Sequence, residues 1–375
     1  MSVSRLQPLE GIRVLDFTNV PPGAACATLL ADLGAEVVRV ESPKAKGKPS
    51  LVIGQIALSR GKKSITLDMR APQANGVLAT LAKTFDVVLE NGFPGTMAER
   101  GFGYPQASEA NPGIIWCSLT GFGQDGPYAR YSGHDISYLA HSGLLGALTP
   151  DRAWHPGLPL ALQAGGMAAV AAIEAALIRK LRTGKGAQVD ISLSEAATWF
   201  LNCGINAISD RAFSLPESPD RRLYACADGR YVAVACAEPR TWEALCNGLG
   251  CDDLIGELHK WQDMPGTIAR LAACFHEKPA AEWMALLAPK GAAVTILNHA
   301  TQLLDDPHVV ARGSVVEVAG TVVPANPLRV DGGADGVTGT NLNPPTTVGA
   351  DTAEILGSAG YSADAIAGFV ESGLV

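Results

Sequence analysis

The alternation of short β-branched runs with helical patterns over residues 12–90 constrains the fold more than any other feature of the chain. Residues 12–17 form a buried strand candidate, which Pro21-Pro22-Gly23 ends, and residues 24–33 carry apolar side chains at helical spacing. Residues 37–40 have the pattern of a second strand. A strand, a helix and a strand over about thirty residues make a βαβ unit, so the pattern predicts a parallel sheet with helices outside it.

Further strand candidates continue this alternation. They lie at residues 64–67 and 87–90, separated by a predicted helix over 73–84, and another follows at 114–119. The next segment, TGFGQDGPYARYSGHD, is glycine-rich and polar, as loops at the carboxyl end of a strand are. Because ligands of open α/β sheets bind at that edge, we expect the functional site in or near this segment.

A change of composition divides the chain into domains. Residues 215–222, rich in proline and charge, predict a linker after a large α/β domain whose first part covers 1–214. Strand and helix patterns beyond it predict a smaller α/β domain over 223–322. Residues 323–375 begin with a long Gly-, Asn- and Pro-rich traverse and end in two short helices, around Gly360-Tyr361, that we expect to return to the large domain.

Composition excludes several classes of function. The net charge is −8 and no basic run is long enough to follow a phosphate backbone, so we expect no nucleic-acid partner. The amino terminus lacks the apolar stretch of a signal peptide, and no window approaches about 18 uninterrupted apolar residues. Eight cysteines without a C-x-x-C pair indicate free thiols. We therefore expect a cytoplasmic protein without membrane association.

Few residues suggest chemistry on their own. The chain has no G-x-G-x-x-G after a strand, no Walker loop, no G-x-S-x-G and no H-E-x-x-H, and its seven histidines are too dispersed to predict a metal site. His134 lies in a glycine-flanked polar loop beside Asp135 and is suited to proton transfer, although a solvated loop histidine is the simpler interpretation. Glu238 follows an apolar strand and either acts chemically or caps a helix that begins at Pro239.

A set of basic residues lies at the predicted strand ends. Side chains of this kind bind phosphates, although most such clusters are solvated surface. The set is Arg39, Arg60, Lys62 and Lys63.

Taken together, six segments in order resemble the family III CoA-transferases, also called the CaiB/BaiF family. The segments are LEGIRVLDFTNVPPGAACATLLADLGAEVVRVESP, LSRGKKSITLDMRAP, DVVLENGFPG, LTGFGQDGPYARYSGHDISYLAHSG, RTGKGAQVDISLSEA and VGADTAEILGSAGYSADAIAGFVESGLV. Within the family, GHDISYLAHSG and DGRYVAVACAEP look most similar to the α-methylacyl-CoA racemases.

The resemblance implies a Rossmann-like large domain and a smaller domain joined by long linkers in an interlocked homodimer, with a heteromer left open. It implies coenzyme A on the large domain, its phosphates near Arg39 and residues 60–63, and no cofactor beyond the coenzyme A of the substrate. His134 matches the catalytic histidine of the racemases and Asp135 the aspartate after it. Glu238 matches an active-site glutamate that the partner chain contributes.

Three positions depart from the family pattern. Gln163 stands where the family has a catalytic aspartate, and glutamine can neither take a proton nor form an acyl anhydride. Phe93 and Asn19 each replace an arginine that is common in the family. The departures predict an unusual substrate or a lost activity.

The favoured prediction is an acyl-CoA-handling enzyme with racemase-like proton transfer at the thioester α-carbon. His134 would be the base, and backbone amides of residues 121–126 would stabilise the enolate oxygen. One alternative is a CoA transferase between carboxylic acids that uses Asp135 or Glu238. The other is a CoA-binding subunit that has lost catalysis.

Overall fold

The computed structural model describes residues 7–149, 154–203, 218–330 and 339–375, and the chain forms two compact units. Residues 1–213 and 308–375 make the first unit, and residues 214–307 make the second. The predicted small domain over 223–322 therefore extended too far. Residues 308–322 belong to the first unit, where the adjoining strand Thr321–Pro324 contacts the 3-10 turn Ile56–Leu58.

A parallel sheet of six strands forms the centre of the first unit, as the alternation predicted. The strands are β1 (Arg13–Asp16), β2 (Glu36–Glu41), β3 (Lys63–Thr66), β4 (Val87–Glu90), β5 (Ile115–Thr120) and β6 (Ala187–Ser192). Their spatial order is β3-β2-β1-β4-β5-β6. This order reverses between β1 and β4, which makes that pair the topological switch point of the sheet.

Helices cover both faces of this sheet. Those of the first unit up to β6 are α1 (Pro21–Asp32), α2 (Ala74–Ala82), α3 (Thr96–Glu99), α4 (Tyr104–Ala110), α5 (Asp135–His141), α6 (Leu144–Leu148) and α7 (Leu160–Thr183). After β6 come α8 (Leu193–Thr198), and much later α12 (Pro307–Arg312), α13 (Thr352–Ser358) and α14 (Ala363–Glu371). The antiparallel pair β10 (Val315–Val318) and β11 (Thr321–Pro324) forms a separate small sheet.

The two-residue period of the strands separates two apolar cores. Val14 of β1 faces α1 and α7, whereas its neighbour Leu15 faces α2 and the carboxyl-terminal residues. Both side chains are fully buried. Burial on both faces explains why the strands read as continuous apolar runs rather than as alternating ones.

A close helix contact fixes the start of α7. A Cβ added at Gly166 would lie 2.9 Å from the carbonyl oxygen of Pro22 in α1, so only glycine permits this approach. The second turn of α7 is thereby held beside the first turn of α1, at the carboxyl edge of the sheet.

By length and composition α7 could cross a membrane, which the sequence prediction did not anticipate. Its best 18-residue window has a mean hydropathy of 1.6, and half of that window is buried inside the structure. The helix packs against α1, α8, β5 and β6. These contacts are those of a core helix, and core helices can have the same length and hydropathy as a membrane span.

The carboxyl-terminal segment completes the first unit. Helices α13 and α14 agree with the two short helices predicted around Gly360-Tyr361. The carbonyl of Leu374 accepts a 2.7 Å bond from the Asp68 amide, and Leu374 and Val375 are buried in the core that Leu15 faces. The segment is therefore part of the folded unit.

The second unit is a small α/β structure of its own. An antiparallel sheet contains β7 (Arg221–Ala225), β8 (Tyr231–Ala235) and β9 (Val294–Ile296), with β8 in the centre. Helices α9 (Pro239–Leu249), α10 (Met264–Phe275) and α11 (Ala280–Leu287) pack on it. Trp242 is fully buried in this core and its indole N–H donates to the carbonyl of Leu254 at 2.9 Å.

Candidate active site

A cavity of about 340 Å³ opens at the switch point of the parallel sheet. Its walls come from the loops that follow β1, β4 and β5, together with the amino-terminal turns of α1 and α5. Open α/β sheets bind ligands at this place, because the loops after neighbouring strands diverge there and leave a crevice. The cavity is therefore the candidate active site.

His134 and Asp135 both line this cavity. His134 is exposed and occupies the position immediately before α5, with extended backbone, and its carbonyl accepts a 2.8 Å bond from the Ser137 amide. The loop histidine selected from the sequence thus has an imidazole at the cavity wall that solvent or a ligand can reach. This geometry suits a group that exchanges protons with a bound substrate.

Asp135 fixes the amino terminus of α7 rather than the imidazole of His134. Its Oδ1 accepts a 3.0 Å bond from the backbone N–H of Leu162, in the first turn of α7. Its Oδ2 is buried and has no hydrogen-bond partner among the described residues. The carboxylate therefore joins the histidine loop to α7 at Leu162, the residue before Gln163.

Gln163 does not line the cavity that holds His134. It is exposed on α7 and lies in a separate apolar groove of about 930 Å³. That groove also contains Met167, Trp199 and Phe200. The neighbouring Leu162 does line the His134 cavity, so the two sites lie on either side of the first turn of α7.

Tyr138 shapes the wall behind His134. Its hydroxyl donates to the carbonyl of Gly133 at 2.6 Å, and a Cβ at Gly121 would lie 2.3 Å from its ring. Burial, and secondarily the charge of Asp135, raise the pKa of Tyr138, so it stays a neutral hydrogen-bond donor.

The backbone amides of residues 121–126, predicted to stabilise the enolate oxygen, are not all available, since the Gln124 amide donates to Asp190 at 3.0 Å.

Two asparagines join the loops across the switch point. Asn91 Oδ1 accepts from the Asn19 amide, and Asn91 Nδ2 donates to Asn19 Oδ1, both at 3.2 Å. The buried carboxylate of Glu90 accepts from the Gly92 amide at 2.7 Å, and burial raises its pKa. Phe93, half exposed, covers the cavity wall where the family pattern has an arginine. An asparagine pair and a buried carboxyl group therefore hold these loops.

Three of the four predicted phosphate ligands are buried and paired within the chain. Arg39 lies inside β2 rather than at a strand end, where it was predicted, and donates to Ser50 Oγ at 2.6 Å. Arg60 forms a buried ion pair of 2.7 Å with Asp32. Within the described residues, both guanidinium groups thus bind side chains of the chain itself and stabilise the fold.

Lys62 is the most deeply buried cation of the set. Its Nζ donates to the carbonyls of Ala24 and Leu58 at 2.9 and 3.0 Å, and lies 3.8 Å from Asp16 Oδ2 at the end of β1. Burial lowers its pKa from 10.5 to about 8, although the charge of Asp16 opposes this shift.

The loop after β2 contains exposed cations that the sequence reasoning missed. Lys63 is the first residue of β3, and its Nζ pairs with Glu36 and Glu354 at 3.4 and 2.7 Å. Lys44, Lys46 and Lys48, by contrast, are exposed in the loop after β2. Their alternate spacing immediately beyond a strand end is the signal that could have identified them.

Glu238 belongs to the second unit. It immediately precedes α9, whose first residue is Pro239, as the capping interpretation required. Its side chain is exposed and accepts from the hydroxyl of Thr241 at 3.1 Å rather than from a helix amide. The carboxylate thus remains at the surface of that unit.

Comparisons with known proteins agree with this fold. The chain is 32% identical to the human "Alpha-methylacyl-CoA racemase" over 96% of its own length and 95% of the relative's. It is 31% identical to an "Acyl-CoA transferase" of Fusarium pseudograminearum, covering 98% of this chain and 88% of that one. The crystal structure of a CAIB/BAIF family protein from Brucella suis superposes with a TM-score of 0.80 at 26% identity, over 94% of this chain and 99% of the other.

The fold and the cavity define an open α/β protein with a candidate ligand site at the switch point of its sheet. The model of CoA-transferase family III matches residues 9–352. The chain belongs to this family, as the sequence resemblance indicated.

Proposed function

We propose that the protein moves a proton at the α-carbon of an acyl-CoA thioester, as a racemase or epimerase does. The observation that carries this proposal is the exposed imidazole of His134 on the wall of the switch-point cavity. An α-proton next to a thioester is weakly acidic, so its removal needs a positioned base. The human relative of 32% identity carries the name of this activity.

Gln163 in place of a second base supports proton exchange on only one face of the α-carbon. A two-base racemase needs a second proton-transfer group opposite the first, and Gln163 cannot supply one. Its side chain also opens into a different groove from the one His134 faces. We infer that the protein exchanges the proton of one epimer much faster than it interconverts the two.

CoA transfer is the second candidate, because several relatives carry such names, for example "Acetyl-CoA:oxalate CoA-transferase" at 27% identity. It requires a carboxylate nucleophile. Asp135 already binds the Leu162 amide with one oxygen, which favours a structural role. Glu238 is exposed and free of helix-capping bonds, so it is the better candidate nucleophile if transfer occurs.

We further propose that the loop lysines Lys44, Lys46 and Lys48 bind the phosphates of coenzyme A, in place of the buried cations.

We also propose a cytoplasmic homodimer. An exposed apolar face of the first unit, which includes Leu148, Trp199 and Phe200, supports association. Light scattering should give about twice the chain mass of 38.9 kDa, and a mass near 38.9 kDa would contradict the dimer.

Solvent exchange separates the candidate functions. Each epimer of a 2-methylacyl-CoA is incubated with the protein in D2O, and α-deuterium is followed by mass spectrometry. The proposal expects deuterium in one epimer, with slow appearance of the other. A parallel incubation with a free carboxylic acid detects transfer. Thioester exchange without α-deuteration would establish the transferase, and neither reaction, with coenzyme A still bound, would favour a non-catalytic subunit.

A further inference from the structure

Two thiols of the second unit lie in contact. Cys251 Sγ and Cys274 Sγ are 3.8 Å apart, although 23 positions separate the residues in the sequence. This is the only thiol pair in contact within the described part of the chain. Cys226, Cys236 and Cys246 are buried in the same apolar core without such a partner.

The ends of two helices hold both cysteines in place. Cys251 follows Gly250, whose positive φ of 68° ends α9, and its amide donates to the carbonyl of Cys246 at 2.8 Å. Cys274 lies in the last turn of α10. Cys251 is 2% exposed, whereas Cys274 is only partly buried. Cys274 is therefore accessible to a small oxidant, whereas Cys251 is shielded from solvent.

We propose that Cys251 and Cys274 form a reversible disulfide when a peroxide oxidises the protein. A disulfide bond measures about 2.05 Å, so the two sulfurs must approach by roughly 1.8 Å. Rotation of the two side chains about χ1 provides a movement of that size. No other described cysteine has a sulfur as close.

The chemistry takes place in two balanced steps. The thiolate of Cys274 attacks one oxygen of hydrogen peroxide, giving a sulfenic acid and hydroxide, which becomes water with the proton that the thiol lost. The sulfur of Cys251 then attacks the Cys274 sulfur and displaces a second water. The protein loses two protons and two electrons, and the peroxide is reduced to two waters.

Burial determines the order of these steps. It raises the pKa of the Cys251 thiol to about 11, so Cys251 stays protonated while Cys274 reacts with the oxidant. The product links the residue after α9 to the last turn of α10 and closes the intervening loop. A cross-link of this span raises the melting temperature by several degrees when the native geometry tolerates it.

Peptide mapping tests the proposal directly. The full-length protein is treated with hydrogen peroxide, alkylated and digested with trypsin without reduction. Cleavage after Arg240, Lys260, Arg270 and Lys290 places Cys251 on peptide 241–260 and Cys274 on peptide 271–290. The proposal expects these peptides to be joined, with a loss of about 2 Da from the sum of their masses and complete release by dithiothreitol.

Cys246 provides a matched control, because it is buried in the same core and lies on the same tryptic peptide as Cys251. Cys246→Ala should retain the cross-link and the rise in melting temperature, whereas Cys251→Ala should lose both and leave a Cys274 sulfenic acid that dimedone traps. Fragmentation of the wild-type cross-link locates the bond independently of any variant. Over-oxidation of Cys274 without a link, or a link through Cys246, would overturn the proposal.

Discussion

Replacing Lys62 with methionine tests the role that the structure gives this residue. The Lys62 side chain is 1% exposed and the Asp16 side chain is not exposed at all. Asp16 Oδ2 has no hydrogen-bond partner among the described residues, so the ammonium group 3.8 Å away provides its counter-charge. Lys62→Met therefore leaves a buried carboxylate without its counter-charge, held only by the two hydrogen bonds that Thr18 donates to Oδ1, and removes the donor to the carbonyls of Ala24 and Leu58.

Removal of one member of a buried ion pair costs about 3 to 5 kcal/mol, and we expect the free energy of unfolding to fall by an amount of this order. The pH dependence has a defined sign. The pKa of Lys62 is about 8 in the folded protein and 10.5 in the unfolded chain, so the unfolded state binds more protons between these values. Wild-type stability gains from this group as the pH rises through that window, and Lys62→Met lacks this gain.

Urea denaturation at pH 7 and pH 9.5 measures both effects. Lys63→Met is the matched control, because Lys63 is one-third exposed and forms surface ion pairs worth at most about 1 kcal/mol. The double variant Asp16→Asn with Lys62→Met should recover part of the loss, since it removes the unpaired charge. A Lys62→Met loss no larger than that of Lys63→Met, with the same pH dependence as wild type, would refute the reasoning.

Three further predictions concern the site. Gln163→Asp should leave the interconversion of 2-methylacyl-CoA epimers, measured by chiral chromatography, at the wild-type rate, because the side chain at position 163 opens into a groove separate from the His134 cavity; a faster rate in a folded, coenzyme A-binding variant would show that this position reaches the substrate. Replacing Lys44, Lys46 and Lys48 by glutamine should weaken coenzyme A binding roughly tenfold in calorimetry and reduce its salt dependence, and full affinity would show that the phosphates lie elsewhere. Asp135→Ala should lower the free energy of unfolding, measured by urea denaturation, by about 1 kcal/mol, as loss of a helix cap does. Asp135→Asn should lower it by less, because the amide oxygen of asparagine can accept the same bond from the Leu162 amide. Equal losses in the two variants would exclude the capping role.

The sheet could be predicted from the sequence because each strand of a parallel sheet is an apolar run between helices. The runs around Val14, Val88 and Cys117 are buried on both faces, and turn residues separate them from the helical patterns. The short elements β9, β10 and β11 were not predicted, since three or four residues carry too little periodicity. The boundary of the second unit depends on contacts of β11 that the local sequence does not encode.

The site could be predicted only in part. His134 was identified because a glycine-flanked polar loop after a strand reaches the carboxyl edge of the sheet. The bond from Leu162 to Asp135 joins residues 27 positions apart, and no local pattern shows it. The basic residues Arg39 and Lys62 look like surface charges in the sequence, but Ser50 and Asp16 pair with them inside the fold. Burial of a charge depends on tertiary contacts, which composition does not specify.

The α-proton exchange rate of His134→Ala in D2O tests the central claim most directly. The control is His155→Ala, since His155 is another exposed histidine of the first unit that does not line the cavity. A positioned base contributes about 10²-fold or more, so His134→Ala should lose at least that factor while its affinity for coenzyme A stays near that of wild type. His155→Ala should exchange at the wild-type rate. Exchange by His134→Ala at a rate close to that of His155→Ala would contradict the assignment of His134 as the base.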